Sequence, residues 1–270
     1  MQAPLVLVGG GKMGSAMLDG WLERGMGPGQ VYVVEPTEAV RKALVAKGVQ
    51  AVADGAELAA DLAPGVIVLA VKPQVMDQVA PAYARFAAGG AVFLSIAAGK
   101  TIRYFEAKLG AGAAIVRAMP NTPAAVRRGI TVACGNADIS AAKKALSLDL
   151  LQAVGEAEWV EDEGLIDAVT ALSGGGPAYV FLLAEVMAKA GAANGLPAEL
   201  AERLVRVTVA GAGELLHQSS EAAATLRQNV TSPGGTTAEA LKVLMADDAW
   251  QPLMDKAIAA ATARSKELAS

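Results

Sequence analysis

The sequence predicts an α/β fold in which a doubly wound parallel sheet is followed by a second, all-helical domain. Three observations lead to this prediction. Short apolar runs alternate with helical patterns through the first part of the chain. A glycine-rich turn directly follows the first of these runs. After about residue 160 the apolar runs stop and only helical patterns remain.

The apolar runs have the length of buried strands. Continuous runs separated by helices are typical of parallel strands that are covered on both faces of the sheet. The predicted strands are Leu5–Val8, Val31–Val34, Val66–Val71, Ala91–Ile96, Ile115–Met119 and Thr131–Cys134, and the first two are followed by predicted helices at Lys12–Arg24 and Thr37–Lys47. We therefore expect residues 1–160 to form the first domain.

The second domain, residues 161–270, is expected to consist of helices. They are predicted at Leu165–Leu172, Ala178–Ala193, Ala198–His217, Glu221–Gln228, Thr237–Met245 and Trp250–Leu268. The second of these helices is apolar around most of its circumference, and such a helix is normally surrounded by other helices. Because this domain is too small to surround it, we expect a partner subunit to cover it.

Composition excludes several classes of protein. The net charge is −4 and no stretch is strongly basic, which argues against a nucleic-acid partner. The uninterrupted apolar runs have strand length, well short of the roughly 20 residues that span a bilayer. The N-terminus shows no secretory signal pattern, so a cytoplasmic protein is expected. Cys134 and His217 are the only residues of their types, which leaves no internal disulfide and no Cys/His metal site; Cys134 is expected to be an inert buried thiol.

The glycine-rich turn has the pattern G-x-G-x-x-G between the first strand and the first helix. Its first glycine allows a tight turn, the second lets a pyrophosphate approach the backbone, and the third lets the helix pack against the strand. The helix N-terminus would offer unpaired N–H groups to the phosphates. The predicted phosphate-binding residues are Gly9, Gly10, Gly11, Lys12, Met13 and Gly14. This pattern in this position predicts a Rossmann domain that binds a nicotinamide dinucleotide.

Glu35 follows the second predicted strand, where an acidic residue would bind the 2′-hydroxyl of the adenosine ribose. A carboxylate there would repel a 2′-phosphate, so NADH is expected to be preferred over NADPH. Thr37 and Arg41 offer the alternative, because they could form a phosphate pocket if Glu35 turned away.

Three further strand ends are expected at the same edge of the sheet, where open α/β sheets bind ligands. The cofactor-binding residues predicted there are Ala70, Val71, Lys72, Pro73, Ala97, Ala98, Gly99 and Asn121. Lys72 is expected near the ribose or the nicotinamide, although a solvated lysine would give the same sequence. Asn121 and Thr122 lie between two prolines and are expected beside the nicotinamide, with an ordinary tight turn as the alternative.

Five motifs together resemble the pyrroline-5-carboxylate reductase family. They are VGGGKMGSAM, AVKP, MPNTP, LSGGGPAY and, most specifically, LRQNVTSPGGTTAEAL, and they run from the first strand to the last helices. The resemblance implies reduction of the imine of 1-pyrroline-5-carboxylate by NADPH or NADH, giving L-proline. It also implies a Rossmann domain and a helical domain that interlocks in a homodimer, with assembly into a larger ring such as a decamer left open.

The resemblance further implies that the last motif holds the substrate carboxylate. The residues implied are Val230, Ser232, Gly234, Gly235, Thr236 and Thr237. Gly234 and Gly235 could turn their N–H groups inward as an anion-binding nest. Thr236 and Glu239 fit a capping box, so Thr236 is predicted to cap a helix that begins at Thr237. Thr237 is the predicted catalytic residue, through a hydrogen bond to the ring nitrogen or the carboxylate of the substrate.

One departure and two rival functions are also visible. The family often has SGSGPAY where Ser173–Tyr179 reads SGGGPAY, so Gly175 replaces a serine. A β-hydroxyacid dehydrogenase would also join a Rossmann domain to helices and would need a lysine such as Lys189, but it leaves TSPGGTT unexplained. A non-catalytic NAD(P)-binding sensor would bind the cofactor without imine-dependent oxidation.

Overall fold

The computed structural model describes residues 3–269. Its strands are β1 (Leu5–Val8), β2 (Val31–Val34), β3 (Gln50–Val52), β4 (Val66–Leu69), β5 (Val92–Ser95), β6 (Ala114–Met119), β7 (Gly129–Gly135) and β8 (Gly155–Trp159). Its helices are α1 (Lys12–Glu23), α2 (Glu38–Val45), α3 (Met76–Val79), α4 (Ile102–Leu109), α5 (Ala141–Leu151), α6 (Leu165–Val169), α7 (Gly176–Ala193), α8 (Ala198–Gln218), α9 (Ala223–Asn229), α10 (Thr236–Leu244) and α11 (Trp250–Ala269).

The strands form one sheet in the order β3-β2-β1-β4-β5-β6-β7-β8, which confirms the predicted fold class. All six predicted strands are present, and β3 and β8 add two more. One pair departs from the prediction of a parallel sheet, because β7 runs antiparallel to β6. The strand order reverses between β1 and β4, the type of switch point at which such sheets bind ligands.

The sheet separates two apolar cores. Leu5 and Leu7 belong to one core, and Val6 and Val8 belong to the other. Successive side chains of a strand point to opposite faces, so a strand buried on both faces must be apolar at every position. This explains why β1, β4 and β5 are continuous apolar runs, and it holds their carboxyl ends in fixed positions at one edge.

The chain divides into two compact units. Residues 3–175 and 261–269 form the first unit, and Gly176–Ala260 forms the second. The first unit extends beyond the predicted boundary at residue 160 because α6 packs against β6 and β7. The last turns of α11 also belong to the first unit, whereas all of α11 was expected in the helical domain.

The apolar helix α7 is part of a longer continuous helical run than the sequence predicted. A π-helical turn at Thr170–Gly174 joins α6 to α7, so the helical run covers 29 residues from Leu165 to Ala193. By length and composition alone this run could cross a membrane, contrary to the expectation that no segment is long enough. The run is not uninterruptedly apolar, because it contains glycine, serine and a few charged residues, and so it does not stand out in the sequence.

Within the second unit, α7 and α8 pack against each other and leave apolar side chains uncovered. No residue of α7 is buried, and Phe181 and Leu182 are 69% and 57% exposed. A groove of about 1050 Å³ between the two helices is lined by Val180, Phe181 and Val209 together with charged residues at its rim. An exposed apolar face of this kind is typical of a protein–protein interface.

Candidate active site

The turn after β1 is built so closely that two of its glycines have no room for a side chain. Gly9 has a φ of +103°, and a Cβ atom there would lie 2.8 Å from the carbonyl oxygen of Ala70. A Cβ atom at Gly14 would lie 2.1 Å from the carbonyl oxygen of Gly9. Gly10 is also confined, because its Cβ would lie 2.8 Å from the side chain of Leu44. The turn therefore holds the start of α1 directly against the ends of β1 and β4.

Gly11 differs from these glycines because it faces open space. Apart from its chain neighbours, no heavy atom of residues 3–269 would lie within 4 Å of a Cβ atom there. Gly11 is the N-cap of α1, and no side chain of the described residues caps that helix. The first N–H groups of a helix have no acceptor within it, so this end of α1 suits a phosphate group.

Glu35 lies beside the glycine turn and is only 8% exposed. One carboxylate oxygen accepts a hydrogen bond of 2.9 Å from the N–H of Gly10, and the other accepts one of 2.8 Å from the N–H of Thr37. Burial alone would raise the pKa of Glu35, but these N–H donors and the nearby Arg41 outweigh it and hold the pKa below its ordinary value. Glu35 is thus ionised, and it ties the glycine turn to the start of α2.

Arg41 lies on the same edge, one turn into α2. Its Nη1 donates hydrogen bonds to the carbonyl oxygens of Glu35, at 2.9 Å, and Pro36, at 2.6 Å. The alternative raised by the sequence was a phosphate pocket formed by Thr37 and Arg41 with Glu35 turned away. The structure has part of this arrangement, because the Glu35 carboxylate points towards the backbone and the Arg41 guanidinium lies next to Glu35.

Of the remaining predicted cofactor residues, Lys12 and Met13 begin α1, and the others follow the ends of β4, β5 and β6 within the same unit. Val71 contacts the turn at Gly9, whereas Lys12 and Lys72 are exposed. Ala97 is buried, and its N–H bonds to Ser95 Oγ at 3.2 Å. The side-chain oxygen of Asn121 accepts a hydrogen bond of 3.0 Å from the N–H of Ile130, so Asn121 fastens the end of β6 to β7.

The π-helical turn adds a feature that the sequence analysis did not use. A Cβ atom at Gly174 would lie 2.8 Å from Met119 Cε, so this turn lies against the end of β6. The Ser173 hydroxyl oxygen is buried and makes no hydrogen bond with residues 3–269. A one-turn π-helix is often found at functional sites, but its signal in the sequence is only the run SGGG.

The predicted substrate loop lies in the second unit and forms a tight turn. Pro233 and Gly234 occupy its centre, Gly234 has a φ of +69°, and the N–H of Gly235 donates to the carbonyl oxygen of Ser232 at 3.0 Å. This is the pattern of a type II turn. The Gly235 N–H is therefore engaged, which corrects the prediction that both glycines turn N–H groups inward.

The start of α10 also differs from the predicted capping box. The helix begins at Thr236, Gly235 is its N-cap, and no side chain within the described residues caps it. Glu239 instead accepts a hydrogen bond of 2.6 Å from Lys242. Gly235 can take the extended N-cap conformation directly after the turn, which moves Thr236 into the helix. The first N–H groups of a helix lack acceptors within it, so those of Thr236, Thr237 and Ala238 have no acceptor within α10.

The side chains of the predicted substrate loop are accessible. Ser232, Thr236 and Thr237 are all exposed, and Val230 is 68% exposed at the end of α9. The structure thus assembles the predicted cofactor residues within the first unit and the predicted substrate residues within the second.

Two family models match the chain, one for each part. Residues 163–268 match the pyrroline-5-carboxylate reductase dimerisation model, and residues 4–99 match the model for coenzyme F420-dependent NADP oxidoreductases. The first match covers the exposed helices α7 and α8 and the loop before α10, and the second covers the glycine turn and Glu35.

Curated relatives match over nearly the whole chain. The pyrroline-5-carboxylate reductase of Pseudomonas aeruginosa is 40% identical over 266 residues, which are 98% of this chain and 96% of the relative. The pyrroline-5-carboxylate reductase of Synechocystis is 38% identical over 272 residues, covering 99% of each chain.

Solved structures agree in both sequence and fold. A pyrroline-5-carboxylate reductase from Coxiella burnetii has a TM-score of 0.93 at 36% identity, covering 100% of both chains. A pyrroline carboxylate reductase from Plasmodium falciparum, with NADP bound, has a TM-score of 0.83 at 30% identity, covering 100% of this chain and 99% of that one. Since similarity at this level extends over both units, the chain belongs to the pyrroline-5-carboxylate reductase family.

Proposed function

We propose that this protein reduces 1-pyrroline-5-carboxylate to L-proline, transferring a hydride from a reduced nicotinamide dinucleotide to the C=N bond. The observation that carries the proposal is the full-length similarity to the reductases of P. aeruginosa and Synechocystis, which includes both the glycine turn and the TSPGGTT loop. The β-hydroxyacid dehydrogenase alternative is not favoured. Lys189, the lysine it would need, is 72% exposed and paired with Glu185 at 2.5 Å.

The cofactor is proposed to bind at the carboxyl edge of the sheet in the first unit. The open space at Gly11 and the uncapped start of α1 support a pyrophosphate there. The residues proposed to hold the cofactor are Gly9, Gly10, Gly11, Lys12, Met13, Gly14, Glu35, Ala70, Val71, Lys72, Pro73, Ala97, Ala98, Gly99 and Asn121. When bound, the reduced nicotinamide supplies the hydride, and the protein supplies orientation and electrostatics.

We propose that the protein prefers NADH over NADPH, which carries an additional 2′-phosphate on the adenosine ribose. Arg41 limits this preference. Glu35 is ionised and would repel a 2′-phosphate at this edge, although its two carboxylate oxygens already accept backbone N–H groups. Arg41 stands beside it and provides a compensating positive charge. The Glu35→Gln variant should therefore use NADPH better relative to NADH than the wild type does.

The substrate carboxylate is proposed to bind the start of α10, where the helix dipole favours an anion. The proposed residues are Val230, Ser232, Gly234, Gly235, Thr236 and Thr237. Thr237 is proposed as the catalytic residue, holding the ring nitrogen or the carboxylate through its hydroxyl. A cyclic imine can be protonated before it binds, so a dedicated acid is unnecessary. His217, the only histidine, is therefore not needed as an acid, and it lies exposed in the last turn of α8.

Assembly as a homodimer through the second unit is supported by the dimerisation match and by the exposed apolar face of α7. Burial of that face in a dimer would also account for the long apolar helical run without a membrane, as in a soluble enzyme of the cytoplasm. A larger ring such as a decamer is compatible with the same dimer.

The test is the loss of NADH or NADPH absorbance on adding 1-pyrroline-5-carboxylate, with L-proline measured as the product. Oxidation with proline formed in equal amount is expected, faster with NADH than with NADPH. Tight binding of either cofactor with no imine-dependent oxidation would instead indicate the non-catalytic sensor. In parallel, Glu38→Gln provides the matched control for Glu35→Gln, because Glu38 is exposed and pairs with Lys42.

A further inference from the structure

The loop between β5 and α4 contacts the last turn of the chain. This loop contains Ala97, Ala98 and Gly99, three of the residues proposed to hold the cofactor. Gly99 is buried with a φ of +70°, and a Cβ atom there would lie 3.1 Å from the carbonyl oxygen of Leu268 in α11. The end of α11 therefore forms one wall behind the loop.

A buried polar network fixes that end of α11 to the sheet. Ser265 is 5% exposed, and its hydroxyl donates a hydrogen bond of 2.6 Å to Asp167 in α6. Asp167 lies 3.8 Å from the guanidinium of Arg117, which is 3% exposed on β6. Breaking one partner of a buried charged network is costly because it leaves a charge without its hydrogen bond.

The same network also fixes the other end of the loop. Arg117 forms an ion pair of 2.8 Å with Glu163. The same oxygen of Glu163 accepts a hydrogen bond of 2.9 Å from the N–H of Ile102, the first residue of α4. A chain of contacts thus runs from Ser265 through Asp167, Arg117 and Glu163 to the residue that follows the loop.

From this closed network we infer that Ser265 and Asp167 are positioning residues for the nicotinamide half of the cofactor. They act through the end of α11, which sets the position of the loop Ala97–Gly99. The inference rests on the proposed function, since it needs the nicotinamide to lie against that loop. It assigns the last turns of the C-terminal helix a role in cofactor geometry, in addition to the dimerisation match that covers them.

The experiment compares two ligands on the full-length protein. ADP-ribose carries the adenosine and both phosphates of NADH but lacks the nicotinamide. In the Ser265→Ala variant the affinity for NADH should fall about tenfold, because a displaced loop makes poorer contacts with the nicotinamide. The affinity for ADP-ribose should stay within about twofold of wild type. Lys266→Ala, an exposed neighbour on the same helix, is the matched control and should change neither affinity.

A second variant keeps the test decisive if Ser265→Ala does not fold. Asp167→Asn retains the shape and an acceptor for the Ser265 hydroxyl but removes the charge that faces Arg117, and the same split between NADH and ADP-ribose is expected. Equal losses for the two ligands, or no loss for either, would overturn the inference. A wild-type protein that does not oxidise NADH or NADPH with 1-pyrroline-5-carboxylate would instead overturn the proposed function.

Discussion

The two units of this protein differ in how completely they bury their apolar side chains. In the first unit the strands β1, β4 and β5 are fully buried, and polar groups such as Glu35 and Arg117 have partners within the unit. In the second unit α7 has no buried residue, and Val207 and Val243 are 65% and 71% exposed. The first unit can complete its core with its own chain, whereas the second presents surface that a partner chain would cover.

The largest effect is expected from Gly14→Ala in the first unit. The added methyl group would lie 2.1 Å from the Gly9 carbonyl oxygen, so α1 must move away from the turn. We expect the affinity for NADH to fall by about 100-fold or more, because the end of α1 proposed to bind the phosphates is displaced. A fluorescence titration measures this. Gly29→Ala is the control, since a Cβ atom there would meet no heavy atom of residues 3–269 within 4 Å, apart from its chain neighbours and adjoining helix backbone. Binding of NADH by Gly14→Ala as tight as by the control would contradict the account.

A smaller effect is expected from Phe181→Glu in the second unit. Phe181 is 69% exposed in the groove between α7 and α8, and large aromatic residues often dominate interface energies. The proposed dimer should dissociate at protein concentrations about 30-fold or more higher than for wild type, as a loss of roughly 2 kcal/mol requires. Light scattering after gel filtration gives the mass.

The control for this variant places the same charge on the first unit. Val45→Glu alters an apolar residue that is 53% exposed at the end of α2, and the dimer should survive it. If both variants or neither became monomeric, the assignment of the interface to the second unit would fail.

The smallest effect concerns the stability that Glu35 provides. Its hydrogen bonds hold its pKa below the ordinary 4.5, so its contribution is present above that pH and is lost as the pH falls through the lowered pKa. Glu35→Gln should lower the free energy of unfolding by roughly 1–2 kcal/mol near pH 7, since its bonds involve a charged acceptor. The difference from wild type should shrink as the pH falls below the ordinary value of 4.5 and through the lowered pKa.

Denaturant titrations at several pH values test this prediction. Glu38→Gln is the control and should change the free energy of unfolding little, because Glu38 is exposed and its ion pair with Lys42 lies at the surface. A difference for Glu35→Gln that grew towards acid pH would show that the ionised carboxylate is not the stabilising form.

The sequence predicted the central strands because they are buried on both faces, and it missed the strands that are not. β8 reads Gly-Glu-Ala-Glu-Trp, with Glu156 and Glu158 exposed at the edge of the sheet, and glutamate is uncommon in strands. β3 covers only three residues. The antiparallel direction of β7 also escaped prediction, because a run such as Ile130–Cys134 has the same pattern in either direction.

The site residues that could be predicted were likewise those with a local pattern in the sequence. The glycine turn was recognisable in the sequence because a side chain at Gly9 or Gly14 would collide with backbone atoms, so both positions require glycine. The network from Ser265 to Ile102 joins residues far apart in the chain, so no local pattern reveals it. At Gly235 two local rules competed: a capping box favoured Thr236 as the cap, but the preceding type II turn delivered the chain to Gly235 in an extended conformation.

We propose that the second unit holds the substrate and the first holds the cofactor. The most direct test is steady-state kinetics of Thr237→Ala, with binding of NADH measured separately. We expect kcat/KM for 1-pyrroline-5-carboxylate to fall by about 100-fold, because the Thr237 hydroxyl is proposed to position the substrate. The dissociation constant for NADH should stay at the wild-type value, and Thr237→Ser, which keeps the hydroxyl, should recover most of the activity. Unchanged kinetics in Thr237→Ala, or an equal loss of NADH binding, would contradict the claim that the second unit holds the substrate while the first holds the cofactor.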